Sequence, residues 1–325
     1  MFTDTSLAQG MHTITITDTD ANGGGLTVGD FQTPARPYLD VATSNPYPAA
    51  GASVTVTATV GNPGQAPLRD AEVTLLTPSG WSTGRPFGLG TVPPDRTAKA
   101  TFTVMPPSSQ SPGAVSFTAV ATSSGGTFVG STQAETPYGS LTAAFDDAGV
   151  SADSNTGAGD LDGSGYSFSG TALSNAGVTP GSTVTAGGLN FTWPSAVAGG
   201  TDNAVASGQE VTVNASGTEL GFLDTATYGP ASGEGTIIYA NGSTQTFTLN
   251  VPDWYDGPPS GTSAAVTMAY RNAPGNSQDD HPVYAYEQSV TLDSTSEVAA
   301  VVLPNVSQGL VGGSAAVHFF AMTIG

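Results

Sequence analysis

The chain has 325 residues, and Gly (43) and Pro (23) make up about a fifth of them, which argues against a predominantly helical protein. An apolar content of 38% excludes wholesale disorder, so we expect a packed core. Six basic residues against 26 acidic ones give a net charge of −20, which argues against binding to nucleic acid or to an anionic membrane surface.

The lack of cysteine and of long apolar segments excludes further classes of protein. The chain has no cysteine, which excludes thiol catalysis, disulfides and cysteine-ligated metals. No apolar run reaches the roughly 18 residues that span a bilayer, and the first residues lack the pattern of a signal peptide. We therefore expect no membrane insertion, and any export signal would lie outside this chain.

Residues 1–37 contain one short alternating strand, with Ile14 and Ile16 on one face, followed by a turn at residues 22–25. Two strands cannot bury a core alone. We interpret this segment as a hairpin stub or as the remnant of a preceding β-domain. The run Thr33-Pro34-Ala35-Arg36-Pro37 is typical of a linker.

Residues 38–137 show short runs of alternating apolar and polar residues separated by Pro- and Gly-rich turns. In the clearest run, Val54, Val56, Ala58 and Val60 alternate with threonines. Each such run buries one face of a strand, and about seven short strands in a hundred residues are typical of an immunoglobulin-like sandwich. Trp81 is expected to plug a corner of this core.

This unit resembles the Ig-like module associated with α-galactosidases and other bacterial glycoside hydrolases. The resemblance rests on three short motifs: Asn62-Pro63-Gly64, Thr77-Pro78-Ser79-Gly80-Trp81 and Gly90-Thr91-Val92-Pro93-Pro94. We interpret this unit as a semi-rigid spacer with no evident binding face of its own.

Residues 141–325 are also β-rich. Asn241-Gly242 stands between two alternating runs and predicts a hairpin with a type I′ turn. Residues 169–176 are expected to form a short helix that ends before Gly177. About 180 residues of this kind favour a jelly roll or a related sandwich, so the predicted fold class is all-β, with an Ig-like domain followed by a jelly-roll-like domain.

This second unit resembles a C-terminal module of secreted actinobacterial glycoside hydrolases over nearly its whole length. The motifs include Phe145-Asp146-Asp147-Ala148-Gly149-Val150-Ser151, Val251-Pro252-Asp253-Trp254 and His281-Pro282-Val283-Tyr284. The resemblance implies a galactose-binding-like sandwich that binds sugar or assists a catalytic domain.

One acidic turn is a candidate calcium site. Asp160 and Asp162 precede Gly163, as oxygen ligands do in tight calcium loops, although the spacing does not fit an EF-hand. Asp153 and Asn155, as well as the Asp146-Asp147 pair, lie nearby in sequence and would complete an irregular site. A solvated polar turn is the alternative interpretation.

A second set of residues is suited to a sugar ligand, because flat rings stack on the apolar faces of sugars while polar groups bond the hydroxyls. Trp254 and Tyr255 follow Asp253 in a loop, Arg271 and Asn272 offer donors, and His281 precedes a proline. Tyr166, Tyr228, Tyr284 and Trp193 are further aromatic candidates, with Trp193 favoured as a core residue. Arg271 alternatively forms a salt bridge to Asp279 or Asp280.

No catalytic residue is assigned, because the chain lacks nucleophile-elbow, zinc-protease and phosphate-loop motifs. We predict the non-catalytic, carbohydrate-binding accessory region of a secreted glycoside hydrolase, with a catalytic domain outside this chain. A purely structural spacer, with Trp254 and Tyr255 buried, is one alternative. A hydrolase with an unrecognised pair of facing carboxylates is the other.

Overall fold

The computed structural model describes residues 36–48, 51–82, 84–293, 295–307 and 309–325. The predicted stub and most of the predicted linker therefore lie outside the described residues. The described chain is dominated by strands, and the predicted all-β fold with tandem sandwiches is confirmed.

The first sandwich consists of β1 (Tyr38–Thr43), β2 (Val54–Asn62), β3 (Leu68–Leu76), β4 (Phe87–Val92), β5 (Arg96–Val104), β6 (Gly113–Ser123) and β7 (Gly126–Thr136). They form antiparallel sheets in the orders β1-β2-β5 and β4-β3-β6-β7. The alternation predicted for β2 is confirmed, because Val54, Val56 and Ala58 are fully buried. Trp81 packs edge-on against Phe117 in the same core, as expected.

The second sandwich begins with β8 (Val150–Ser151), β9 (Ser167–Ser169), α1 (Gly170–Asn175), β10 (Thr183–Ala186), β11 (Leu189–Thr192), β12 (Ala204–Val205), β13 (Glu210–Ala215) and β14 (Glu219–Thr227). It continues with β15 (Ala231–Tyr239), β16 (Thr244–Val251), β17 (Val266–Met268), β18 (Arg271–Ala273), β19 (Ser277–Asp279), β20 (Val283–Thr291), β21 (Val298–Val302) and β22 (Ala316–Ile324). Two 3₁₀ turns cover Thr142–Ala144 and Thr156–Ala158.

The second sandwich has three layers where the sequence predicts two. The five-stranded sheet β12-β22-β14-β20-β17 faces the sheet β13-β21-β15-β16 across one apolar core, which contains Phe222 and Phe319. Its other face packs on a second core, which contains Phe320, Trp193 and Trp254 and is covered by α1 and two small sheets, β19-β18-β9-β8 and β10-β11. Both faces of β22 are therefore buried over residues 316–321.

Two local predictions have different outcomes. The helix is confirmed: Ser169 Oγ accepts from the Ala172 N–H at its start, and Gly177 ends it with a φ of +85°. The hairpin is also confirmed, but its type I′ turn is wrong, because Gly242 has a positive φ and Asn241 does not. Asn241 Oδ1 instead accepts from the Ser243 N–H, in a three-residue loop that ends on a left-handed glycine.

Candidate functional site

One pocket of about 440 Å³ brings together residues that are distant in sequence. Its walls come from the turn at 162–166, the β14–β15 connection at 228–229, the segment at 253–256 that follows β16, and β18. Four of the predicted ligand-binding residues line it or lie beneath it: Asp253, Trp254, Tyr255 and Arg271. We call it the Arg271 pocket.

Arg271 is held against aromatic rings. Its guanidinium carbon lies 4.0 Å from the centre of the Tyr166 ring, 4.4 Å from that of Tyr255 and 5.0 Å from that of Trp254. Its Nε donates to Asp279 Oδ2 at 2.9 Å, across the register of β18 and β19, so the predicted salt bridge is present. Among the described residues, nothing accepts a hydrogen bond from its two terminal nitrogens, which remain available to a ligand in the pocket.

The segment after β16 is fixed by hydrogen bonds. Asp253 Oδ1 accepts from the Tyr255 N–H at 2.7 Å, and Asp253 Oδ2 accepts from the Gly229 N–H. The Trp254 N–H donates to the Ala226 carbonyl at 2.8 Å. The Asp253 carboxylate thus ties two walls of the pocket together, and Asp256 remains the exposed acid at its mouth.

Tyr228 forms the opposite wall in a strained backbone conformation. Its φ is +57°, a region that a bulky side chain rarely adopts, and its side chain is 40% exposed. The Tyr228 hydroxyl lies 2.5 Å from Ser164 Oγ, which connects it to the 162–166 turn. Of the aromatic residues that line the pocket, Tyr228 presents the most open ring.

The proposed calcium ligands are engaged by protein groups. Asp160 Oδ1 accepts from the Gly165 N–H at 2.7 Å, and Asp162 Oδ1 accepts from the N–H groups of Ser164 and Tyr166 at 2.9 and 3.2 Å. These bonds hold the turn, whose glycines at 163 and 165 have positive φ. Burial raises the pKa of Asp162 despite them.

The other two predicted ligands do not complete a metal cluster. Asp153 accepts from Ser169 Oγ at 2.5 Å and from the Tyr270 hydroxyl at 2.8 Å, and Asn155 is exposed. Burial acts to raise the pKa of Asp153, but its hydrogen bonds outweigh burial and the pKa is lowered. No group of three or more acidic or histidine side chains suited to a metal occurs in the described part of the chain. Calcium at this turn remains a prediction.

Three predicted ligand residues have altered roles. Trp254 is only 2% exposed and packs edge-on against Phe168, so it supports Arg271 from below and is no stacking platform. His281 stacks on Tyr255 with 3.6 Å between ring centres, which leaves that ring in contact with two protein side chains. Asn272 points into the core, where its Nδ2 donates to Ser151 Oγ at 2.9 Å.

Asp147 of the Asp146-Asp147 motif belongs to a largely buried polar clasp outside the pocket, whereas Asp146 is exposed. Asp147 Oδ2 and Asp202 Oδ1 both accept from Asn203 Nδ2 at 2.9 Å, and His318 Nδ1 donates to Asn203 Oδ1 at 2.8 Å. Burial raises the pKa of Asp147 to about 7 and that of Asp202 to about 6, and it lowers the pKa of His318 to about 3. We call these four residues the buried clasp.

A second pocket, of about 380 Å³, lies beside α1 and is lined largely by apolar groups that include Trp193. Asp202 is its acidic side chain, and its carboxylate already accepts three hydrogen bonds, from Gly149, Val150 and Asn203. The Asp202 carboxylate therefore has little free hydrogen-bonding capacity for a ligand in this pocket.

Each of the two sandwiches matches a known domain family. Residues 136–323, more than half of the 325 residues, match the AziU2-like β-sandwich domain family. The chain belongs to that family. Residues 49–124 match the NPCBM-associated, NEW3 domain of α-galactosidase. The AziU2-like domain therefore contains the Arg271 pocket and follows an α-galactosidase-associated module, which confirms the resemblance seen in the sequence.

Solved structures give only distant likenesses. A CARDB domain from Pyrococcus furiosus is 9% identical over 31% of this chain and 93% of its own, with a TM-score of 0.24. The sporulation control protein Spo0M of Bacillus subtilis is 16% identical over 31% of this chain and 49% of its own, with a TM-score of 0.24. The secreted serine protease VesC of Vibrio cholerae is 10% identical over 88% of this chain and 50% of its own, with a TM-score of 0.28. Such low scores carry no functional information.

No curated protein matches the chain. Among the described residues, no helix has the length and apolar character needed to cross a membrane.

Proposed function

We propose that the chain is a non-catalytic accessory region of a secreted glycoside hydrolase and that its second sandwich binds carbohydrate in the Arg271 pocket. The observation that supports this most strongly is Arg271 itself. Its guanidinium is fixed by three rings and by Asp279, while its terminal N–H donors face an open pocket. A fixed, planar set of donors suits sugar hydroxyls.

The walls of the Arg271 pocket also supply a hydrogen-bond acceptor and an aromatic ring for a sugar. Asp256 supplies a solvent-facing carboxylate, and Tyr228 supplies an open ring with a hydroxyl at its tip. In this proposal Tyr228, and neither Trp254 nor Tyr255, stacks on the apolar face of the sugar. The first sandwich acts as a spacer toward a catalytic domain outside these residues.

Affinity electrophoresis against a panel of polysaccharides tests the proposal. The wild-type chain should be retarded by at least one glycan, and Asp256→Asn should weaken that retardation because a hydroxyl loses its charged acceptor. Asp40→Asn is the matched control, since Asp40 is an exposed acid on β1 of the first sandwich. It should be retarded like the wild type.

Two alternatives have distinct outcomes in the same experiment. A folded chain that no glycan retards would favour the structural spacer, for which the burial of Trp254 is the supporting observation. Release of reducing ends from a retarding glycan, lost in Asp256→Asn, would favour a hydrolase. Against a hydrolase, both oxygens of Asp253 accept backbone N–H groups and so hold the loop.

A further inference from the structure

A turn at residues 311–314 packs against the outside of the Arg271 pocket. The Ser314 N–H closes this turn by donating to the Val311 carbonyl at 2.9 Å, shortly before β22 begins. None of its four residues lines the pocket. The 311–314 turn instead contacts the turn at 162–166, which forms one wall of the pocket. It therefore touches the wall without touching the space that a ligand would fill.

The two turns approach each other through glycines. A methyl group added to Gly163 would lie 2.7 Å from the Gly312 nitrogen. A methyl group added to Gly312 would lie 2.8 Å from the Gly163 carbonyl oxygen and 2.6 Å from Ser164 Oγ. These distances are shorter than the roughly 3.5–4.0 Å at which non-bonded carbon atoms attract each other. Gly312 is not among the residues with a positive φ, so the contact, and not its backbone conformation, requires the missing side chain.

Ser164 connects this contact to Tyr228. The Ser164 N–H donates to Asp162 Oδ1 at 2.9 Å, which fixes its backbone, and its Oγ lies 2.5 Å from the Tyr228 hydroxyl. Gly312 thus lies against the same oxygen that holds the tip of the Tyr228 ring. A side chain at residue 312 would rotate Ser164 Oγ into another rotamer or displace the whole 162–166 turn. Either movement breaks the contact with the Tyr228 hydroxyl.

The backbone of Tyr228 is held in a conformation that its side chain disfavours. Its φ is +57°, and the side chain is 40% exposed, so packing into the core does not account for the strain. The chain on both sides is fixed, because the Gly229 N–H donates to Asp253 Oδ2 and the Ala226 carbonyl accepts from the Trp254 N–H at 2.8 Å. Strain of this kind persists where the surrounding structure enforces it, and it clusters at ligand sites.

We infer that Gly312 is a positioning residue for the Arg271 pocket: from outside the pocket, and through Ser164, it determines where the open ring of Tyr228 lies. The inference rests on the proposed function, in which that ring stacks on a sugar. It adds that the affinity of the pocket depends on a turn that the sugar does not contact.

The position of Tyr228 can be measured without a ligand. In the full chain labelled with 3-fluorotyrosine, the ¹⁹F signal of Tyr228 is the one that Tyr228→Phe lacks. Gly312→Ala should shift or broaden this signal, and so should Ser164→Ala, which deletes one exposed hydroxyl without adding bulk.

Gly313→Ala is the matched control. Gly313 belongs to the same turn and has a φ of +85°, but nothing lies within 4 Å of the position that a methyl group would take. Gly313→Ala should therefore strain the backbone and lower the Tm while the Tyr228 signal stays in place.

Isothermal titration measures the effect on binding, with an oligosaccharide of the glycan that retards the wild type most. Gly312→Ala should raise the Kd about threefold to tenfold, as expected for a coupled residue without ligand contact, and Gly313→Ala should match the wild type. In the Ser164→Ala background, Gly312→Ala should cost less than in the wild type, because the oxygen that it displaces is already absent.

Three results would overturn the inference. One is a Tyr228 signal that does not move in folded Gly312→Ala. Another is a Gly313→Ala variant that changes the signal or the Kd as much as Gly312→Ala does, which would mean that the turn only supports the fold. The third is a Gly312→Ala variant that moves the signal but binds as tightly as the wild type. If no glycan binds the wild type, the proposed function fails, and the Tyr228 signal still decides whether Gly312 positions the ring.

Discussion

The two sandwiches are built from similar antiparallel strands, but their interiors differ in polarity. In the described part of the first sandwich, the buried polar side chains are Asn62 and Thr136. The second buries ionisable groups as well: Asp162, Asp202, Glu210, Asp224, Asp253 and His318. Burying such groups is costly unless they are hydrogen-bonded or bind a ligand. The difference is consistent with our proposal that the first sandwich is a spacer and that the second contains the ligand site.

The largest expected difference between the two sandwiches comes from removing one buried asparagine from the interior of each. Asn203→Ala should cost about 3–5 kcal/mol, because it removes the hydrogen bonds that Asn203 makes to three ionisable side chains of the buried clasp, Asp147, Asp202 and His318. Asn62→Ala removes bonds to neutral backbone groups only and should cost about 1–3 kcal/mol. Urea unfolding measures both, and an equal or larger cost for Asn62→Ala would contradict the comparison.

The ionisable groups buried in the second sandwich should also make its stability depend on pH. The pKa values of Asp147 (about 7) and Asp202 (about 6) are raised by burial, so the folded chain binds protons more tightly than the unfolded chain and gains stability as the pH falls from about 8 to 6. His318, whose pKa burial lowers to about 3, acts oppositely below about pH 6.5, where the unfolded chain takes up its proton.

Calorimetry in chelator at several pH values checks this expectation. The Tm should rise between pH 8.5 and 6.5, and Asp147→Asn should show a smaller rise because its side chain has no proton to bind. A Tm that falls over this interval, or an unchanged slope in Asp147→Asn, would show that the clasp does not titrate as described.

The smallest expected effects come from two glycines with empty surroundings, one in each sandwich. Gly242 has a φ of +83°, so Gly242→Ala should destabilise by about 1 kcal/mol through backbone strain. Gly88 on β4 lies outside the positive-φ region, so Gly88→Ala should stabilise by about 0.4–1 kcal/mol. Thermal unfolding of both variants measures the difference, and equal shifts would mean that backbone conformation does not decide the outcome.

Much of the fold could be predicted because alternation determines which strand face is buried. The run from Val54 to Val60 indicated both the strand and its buried residues. The third layer of the second sandwich could not be predicted, because β14 and β22 are buried on both faces and periodicity does not say which elements cover them.

Part of the candidate site could also be predicted from the alternation of side chains along strands. Arg271 and Asn272 are neighbours on β18, and successive side chains on a strand point to opposite faces, so the two could not share one pocket. The alternation of side chains along the strand was enough to exclude Asn272 from the pocket that contains Arg271. Ser164, Gly229 and Asp256 were missed, because they reach the pocket through long-range packing of turns that sequence spacing does not reveal.

The most direct test of the account compares one substitution in the two sandwiches. With an oligosaccharide of the glycan that retards the chain most, the Kd of the wild type, Arg271→Lys and Arg96→Lys is measured by isothermal titration. Arg271→Lys keeps the charge but loses the planar, stacked donors, so its Kd should rise about tenfold or more, while Arg96→Lys on β5 should match the wild type. An Arg271→Lys variant that is folded and binds as tightly as the wild type would contradict the account.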